Sequence, residues 1–232
     1  MFMKRIKFYL IIILGFISQC SFAQDANALL QKVKDKLNKV NDYEATGIMK
    51  TNVSFLKVPE ANVVVYFKKP DNLKIKNDKG ISLVPKGAVS ISLNDLLKGN
   101  FTAIEGGSET IQNVKVKIIK LLPVDESSDI VLSTLYIDEN KLLIVKARTT
   151  TKENGTYEVE MSYGKYESYA LPDKVLFTFN TKDYKLPKGV TFDYDDGSKK
   201  KTEGSVNNNK GKVEINYSSY KINNGLPDAV FK

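Results

Sequence analysis

The sequence predicts a mainly β (α+β) protein: a curved antiparallel half-open barrel of about 10–11 strands, with an N-terminal helix and a short lid helix enclosing a hydrophobic cavity. Three observations carry this. Apolar residues alternate with polar ones at period two over almost everything beyond Tyr43. One amphipathic helix precedes them. The strands also hold more apolar surface than that helix can cover, so the sheet must curl around an interior.

In chain order, Lys4, Arg5 and Lys7 precede an apolar stretch from Leu10 to Ile17, and Ser21-Phe22-Ala23 follows. A basic start, a short greasy core and small residues at the cleavage positions describe an export signal. The expected cut follows Ala23, so residues 1–23 are signal peptide and residues 24–232 form a single domain. The alternative is processing at Cys20, which would leave a lipid-anchored N-terminus; Gln19, where a small residue is usual, weighs against it. Either route takes the chain out of the cytoplasm, to the periplasm.

From Asp25 to Asn41, Leu29, Leu30, Val33, Leu37 and Val40 recur at three- and four-residue steps, among Lys32, Lys34, Lys36 and Lys39. This spacing predicts a helix with Asp25 as N-cap and one apolar stripe packed on its own domain. Strand signals come next. Met49, Val53 and Phe55 share a face, and Leu73 and Ile75 alternate with Lys74 and Lys76. Val114, Val116 and Ile118 alternate with Lys115 and Lys117, and Tyr157, Val159, Met161 and Tyr163 with Thr156, Glu158, Glu160 and Ser162. Val63–Phe67, Ile130–Ile137 and Leu142–Ala147 are apolar on both faces. Asn154-Gly155 predicts a two-residue hairpin turn between Lys141–Thr151 and Thr156–Tyr166, with further turns at Asp78–Gly80, Asp138–Asn140 and Asp196-Gly197.

Ser92–Lys98 interrupts the β pattern as a short helix capped by Ser92 and stopped by Gly99. It places Leu93, Leu96 and Leu97 on one stripe, with Phe101 and the Gly106-Gly107 pair after it. The segment is either a movable lid over the cavity or a plug closing one end of the barrel. Residues 195–212 hold one apolar residue, Val206, and are expected to form a long loop or hairpin tip. Tyr163–Phe179 and Tyr217–Phe231 echo one another: two tyrosines three apart, then Leu-Pro-Asp-x-Val before a phenylalanine. They are expected to be two similar strand, turn, strand-start units.

Composition excludes much chemistry. The chain has no histidine and one cysteine, in the segment expected to be removed or lipidated. A mature chain without either cannot build a Ser-His-Asp triad, a cysteine nucleophile or an imidazole–thiolate metal cage. The paired acids Asp195-Asp196 and Asp125-Glu126 lie in polar turns, where a solvated surface is the ordinary role. Three signal-peptide cations contribute to the formal charge of +8, and the lysines are interspersed with acids, which gives no footprint for nucleic acid. The expectation is a protein that is not an enzyme and needs no cofactor or metal.

Three segments add a resemblance. "KLNKVNDYEAT" at Lys36–Thr46, "VVVYFKKPDNLKIK" at Val63–Lys76, and "FTF" at Phe177–Phe179 with "LPKGVTFDYDD" at Leu186–Asp196 are similar to motifs of the LolA/LolB-like periplasmic outer-membrane lipoprotein carriers. The resemblance implies a half-open barrel with a helical lid and a greasy interior for acyl chains of lipoproteins or other lipids. It also implies an inner-membrane donor and an outer-membrane acceptor as partners of a monomeric carrier. Phe55, Phe67, Leu93, Leu96, Leu97 and Phe101 are the candidate cavity and lid residues. The family has an arginine before the motif proline, tied to cargo hand-over; here Lys69 stands at that position, with the charge but not the planar fork. The alternative is an envelope-stress sensor or other interaction module of the same fold.

Overall fold

The computed structural model describes residues 21–53, 56–57, 59–78, 97, 99–180 and 210–231. The chain begins with helix α1 (Ser21–Leu37). The strands follow: β1 (Asp42–Val53), β2 (Leu56–Lys57), β3 (Ala61–Lys68), β4 (Asn72–Asn77), β5 (Phe101–Ile111), β6 (Val114–Pro123), β7 (Ile130–Asp138), β8 (Leu143–Thr151), β9 (Gly155–Ser162), β10 (Lys174–Asn180) and β11 (Lys210–Ile222). All pairings are antiparallel, in the order β4-β3-β1-β11-β10-β9-β8-β7-β6-β5, with β2 paired to β1. β4 and β5 are both edges, so the sheet is not closed. It is the expected half-open barrel.

The helix runs four residues earlier than the sequence predicts and ends at Leu37, not Asn41. Asp25 is therefore no N-cap. It lies inside α1, where its carboxylate accepts a hydrogen bond from Lys117 Nζ on β6 at 2.8 Å. Val40, read as part of the helical stripe, leaves the helix after a tight turn (Val40 N–H to Leu37 O, 3.2 Å) and is buried in a different cluster from Leu29, Leu30 and Val33.

The Asn154 turn is longer than predicted: Thr151 pairs with Gly155 across a loop of Lys152, Glu153 and Asn154. Gly155 takes φ +66°, so the glycine serves as the first strand residue, in the left-handed conformation. At the next turn, the Asp138 carboxylate accepts the backbone N–H groups of Asn140 and Lys141, as turn aspartates do.

Lys210, Gly211 and Lys212, expected in a loop tip, open β11. This strand lies between β1 and β10 in the middle of the sheet. Gly211 has to be glycine, because a Cβ there would overlap the ring of Phe179 on the paired strand. The remainder of that expected loop, the Asp196-Gly197 turn and Leu186–Asp196 lie outside the described residues.

The two echo segments meet in space. Tyr166 and Tyr220 pack edge to face at 4.9 Å, Tyr220 Oη donates to Pro172 O at 2.7 Å, and the Tyr217 N–H bonds to Asp173 O at 2.7 Å. The first echo leads into β10, as expected. The second ends in a 3₁₀ turn, Asp228–Phe231, not a strand start.

Candidate functional site: the apolar inner face and its rim

Alternation along each strand aims one set of side chains at the concave face, which divides into two clusters. Under α1, Ala26, Leu29, Leu30 and Val33 join Ala103, Ile119, Leu121, Leu135, Ile137, Ile144, Ala147 and Met161. This half is almost wholly aliphatic, and its central residues Ile119, Leu135 and Ile137 are fully buried. The other half, built on β1, β3, β10 and β11, contains Met49, Val63, Val65, Val213 and Ile215, with Tyr43, Phe67, Tyr157, Phe177, Phe179, Tyr217 and Tyr220. No helix among the described residues belongs to this cluster.

Its aromatic rings form two groups. Phe67 stacks on Tyr43 at 5.3 Å, and Tyr220 approaches Tyr43 at 5.4 Å and Tyr217 at 5.1 Å. Phe177 lies 5.5 Å from Tyr157 and 5.4 Å from Phe179. Tyr220 pairs with Ala45 near one end of β11, and Val213 with Phe177 near the other. At roughly 3.3 Å per residue the groups stand on the order of 20 Å apart along β11, with the buried, paired Met49 and Ile215 between them. Polar tips are tied down: Tyr163 Oη donates to Ile144 O at 2.7 Å. Desolvation pushes the Tyr43, Tyr163, Tyr217 and Tyr220 hydroxyls well above their ordinary range and Tyr157 to about 12, so all remain neutral.

The residues nominated from sequence divide between the halves. Phe67 belongs to the aromatic cluster. Leu97 is helical and fully buried with the α1 cluster, which Phe101 flanks at half burial. Phe55, Leu93 and Leu96 lie outside the described residues. Lys69 is in the β3–β4 turn, where the Lys69-Pro70 bond is cis, and its Nζ donates to Asn38 O at 2.7 Å and Asn41 Oδ1 at 3.3 Å. It ties that turn to the junction of α1 and β1. Tyr43, Tyr157, Phe177, Phe179, Tyr217 and Tyr220 were not nominated, although the period-two pattern, the Phe-x-Phe motif and the tyrosine echo all display them.

One cation reaches the inner face. Lys117, 8% exposed, is ringed by Asp25 at 2.8 Å, Glu105 at 3.4 Å and Glu139 at 3.7 Å. The hydrogen bond that Lys117 donates to Asp25 is the largest cause raising the Lys117 pKa, and it lowers that of Asp25. Glu105 Oε2 is buried without a hydrogen-bond partner. The cluster fastens the start of α1 to β5 and β6. At the other end of α1, a groove of about 500 Å³ is lined by Lys32, Asp35, Lys36, Lys39, Lys141, Leu142 and Ser168.

An open antiparallel half-barrel with one helix across its concave face defines a recognised class. The sequence matches no family model and no curated protein sequence. Solved structures are similar to it. A DUF1329 family protein from Desulfovibrio piger superposes with TM-score 0.58 at 13% identity, covering 91% of this chain and 97% of that one. A protein described as an outer membrane lipoprotein-sorting protein domain, from Vibrio parahaemolyticus, gives 0.56 at 12%, covering 90% and 97%. A LolA superfamily protein from Nitrosomonas europaea gives 0.51 at 11%, covering 87% and 96%. The fold is LolA/LolB-like.

Proposed function

We propose that this protein is a non-enzymatic carrier of the periplasm that holds acyl chains of lipoproteins or other lipids against its aromatic half-face for transfer toward the outer membrane. The observation that carries this reading is the aromatic-rich apolar inner face of β1, β3, β10 and β11, with no described helix in its cluster, in a sheet whose end strands β4 and β5 do not pair with each other. An acyl chain suits it: each methylene withdrawn from water contributes about 0.8 kcal/mol, and a dry face with neutral tyrosines makes no competing polar demand. The fold shared with a lipoprotein-sorting domain and a LolA superfamily protein supports the reading. So does the signal-like N-terminus, which supplies the export a periplasmic carrier needs. Leu93 and Leu96 would cover the chain, and Lys69 would act in its hand-over.

Native mass spectrometry of protein isolated from envelope fractions without detergent tests this. The expected result is a lipid-mass adduct that is released on denaturation. Protein that carries no adduct and takes up no lipophilic probe would overturn the reading and leave a protein-interaction module as the better account.

A further inference from the structure

The lysines of α1 are not used by the apolar interior. Lys32, Lys36 and Lys39 follow one another at four- and three-residue steps along one side of the helix and its end, and Lys141 faces them across the groove from the β7–β8 turn. The acids nearby are already engaged. Asp35 accepts from Gln31 Nε2 at 2.8 Å, Glu167 takes Lys141 Nζ at 2.9 Å, and Asp138 takes two backbone N–H groups. Lys36 donates to a neutral acceptor, Lys141 O, at 2.6 Å. Neither Lys32, Lys36 nor Lys39 has a carboxylate at ion-pair distance among the described residues. Val40, next after the groove residue Lys39, is buried in the aromatic cluster, so the lysines border the half of the interior assigned to the acyl chain.

We propose that this groove binds a phosphate-type anion, the headgroup of a lipid whose chains the interior holds. The inference rests on the carrier reading and adds a preference for anionic cargo. Lys32, Lys36, Lys39 and Lys141 outnumber the carboxylates near the recess, Asp35, Asp138 and Glu167, and a phosphate supplies charge and acceptor oxygens together. Burial lowers the Lys36 pKa; the charges of Glu167 and Asp138 raise it and those of Lys39 and Lys141 lower it, and a bound anion would oppose the net lowering.

The test displaces a lipophilic probe from the full chain with phosphatidylglycerol and with phosphatidylcholine of the same acyl chains. Phosphatidylglycerol is expected to compete about tenfold better, with the margin shrinking as salt rises. A Lys32→Gln/Lys36→Gln/Lys39→Gln variant should lose that margin yet keep its affinity for phosphatidylcholine and its urea midpoint, and the matching Lys→Arg variant should keep the margin. Equal competition by both lipids in the wild type, or a margin that survives the triple glutamine change, overturns the headgroup site and leaves the carrier reading standing. If neither lipid competes, the carrier reading fails. Inorganic phosphate then decides the site: a saturable shift of the Lys36 side-chain resonance supports an anion site for a free ligand, and no shift overturns it.

Discussion

The two halves of the inner face are built from the same alternating strands, yet they differ in composition and in cover. Beneath α1 the face is aliphatic, and its central side chains, like Met49, Val63 and Val65 in the other half, are fully buried. Across β1, β3, β10 and β11 it is rich in large rings in offset and edge contacts, and no described helix belongs to it. On the proposed function the first half is a scaffold and the second receives an apolar guest. The buried stripe of Ala26, Leu29, Leu30 and Val33 seats α1 on the first half, and the Lys117 cluster fastens its start to β5 and β6.

The largest expected effect separates the halves by substitution. Leu135→Ala should cost about 3 kcal/mol of unfolding free energy, because the covered half cannot collapse around the gap, and should leave lipophilic-probe affinity unchanged. Phe177→Ala, also at a buried position, should cost about 3 kcal/mol as well and, in addition, weaken the probe at least about tenfold. If both variants lose stability and neither changes affinity, the aromatic half is ordinary core. Next, Gly211→Ala should lower the urea midpoint by the equivalent of about 2 kcal/mol, since its methyl must displace the Phe179 ring.

Lys117→Met sharpens the account of the helix. Removing the cation leaves Glu105 buried without compensation, at a cost of about 2 kcal/mol, and should speed exchange of the α1 backbone amides. The same cluster has a pH signature. Asp25 is held below its ordinary value of 3.8, so its contribution is complete above about pH 4 and is lost as pH falls through the folded-state value. Lys117 is raised above 10.5, so its contribution is complete below about pH 10 and is lost as pH climbs through its folded-state value. Asp25→Asn should therefore flatten the acid limb of the stability profile. The smallest effect belongs to Lys69→Leu, which gives up two hydrogen bonds at the α1–β1 junction: about 1 kcal/mol in stability, with slower delivery of probe to acceptor vesicles if Lys69 acts in hand-over.

Much of the fold was legible because period two is a strong signal. Tyr157, Val159 and Met161 face inward as their alternation requires, and the open antiparallel sheet follows from many such strands with one helix. Local features were less so. Asp25 reads as a cap from its position before an apolar stripe, but Lys117, far along the chain, sets its role. Lys210–Lys212 read as loop from their polarity, but backbone pairing to β1 and β10 recruits them, and only Gly211, needed beneath the Phe179 ring, marks the place. Phe67 was legible as an inward-facing residue because it is aromatic on an apolar strand. Its partners Tyr43 and Tyr220 come from strands at opposite ends of the chain, and nothing local shows that β11 returns to lie beside β1.

The central claim is that an acyl chain lies on the aromatic half and not under the helix. The most direct measurement is paramagnetic broadening by a spin-labelled fatty acid of assigned side-chain resonances in the full-length protein. The account predicts strong broadening at Met49, Phe177 and Val213, with Leu135 and Ile137 little affected. Broadening centred on Leu135 and Ile137, or none anywhere at saturating ligand, would contradict it.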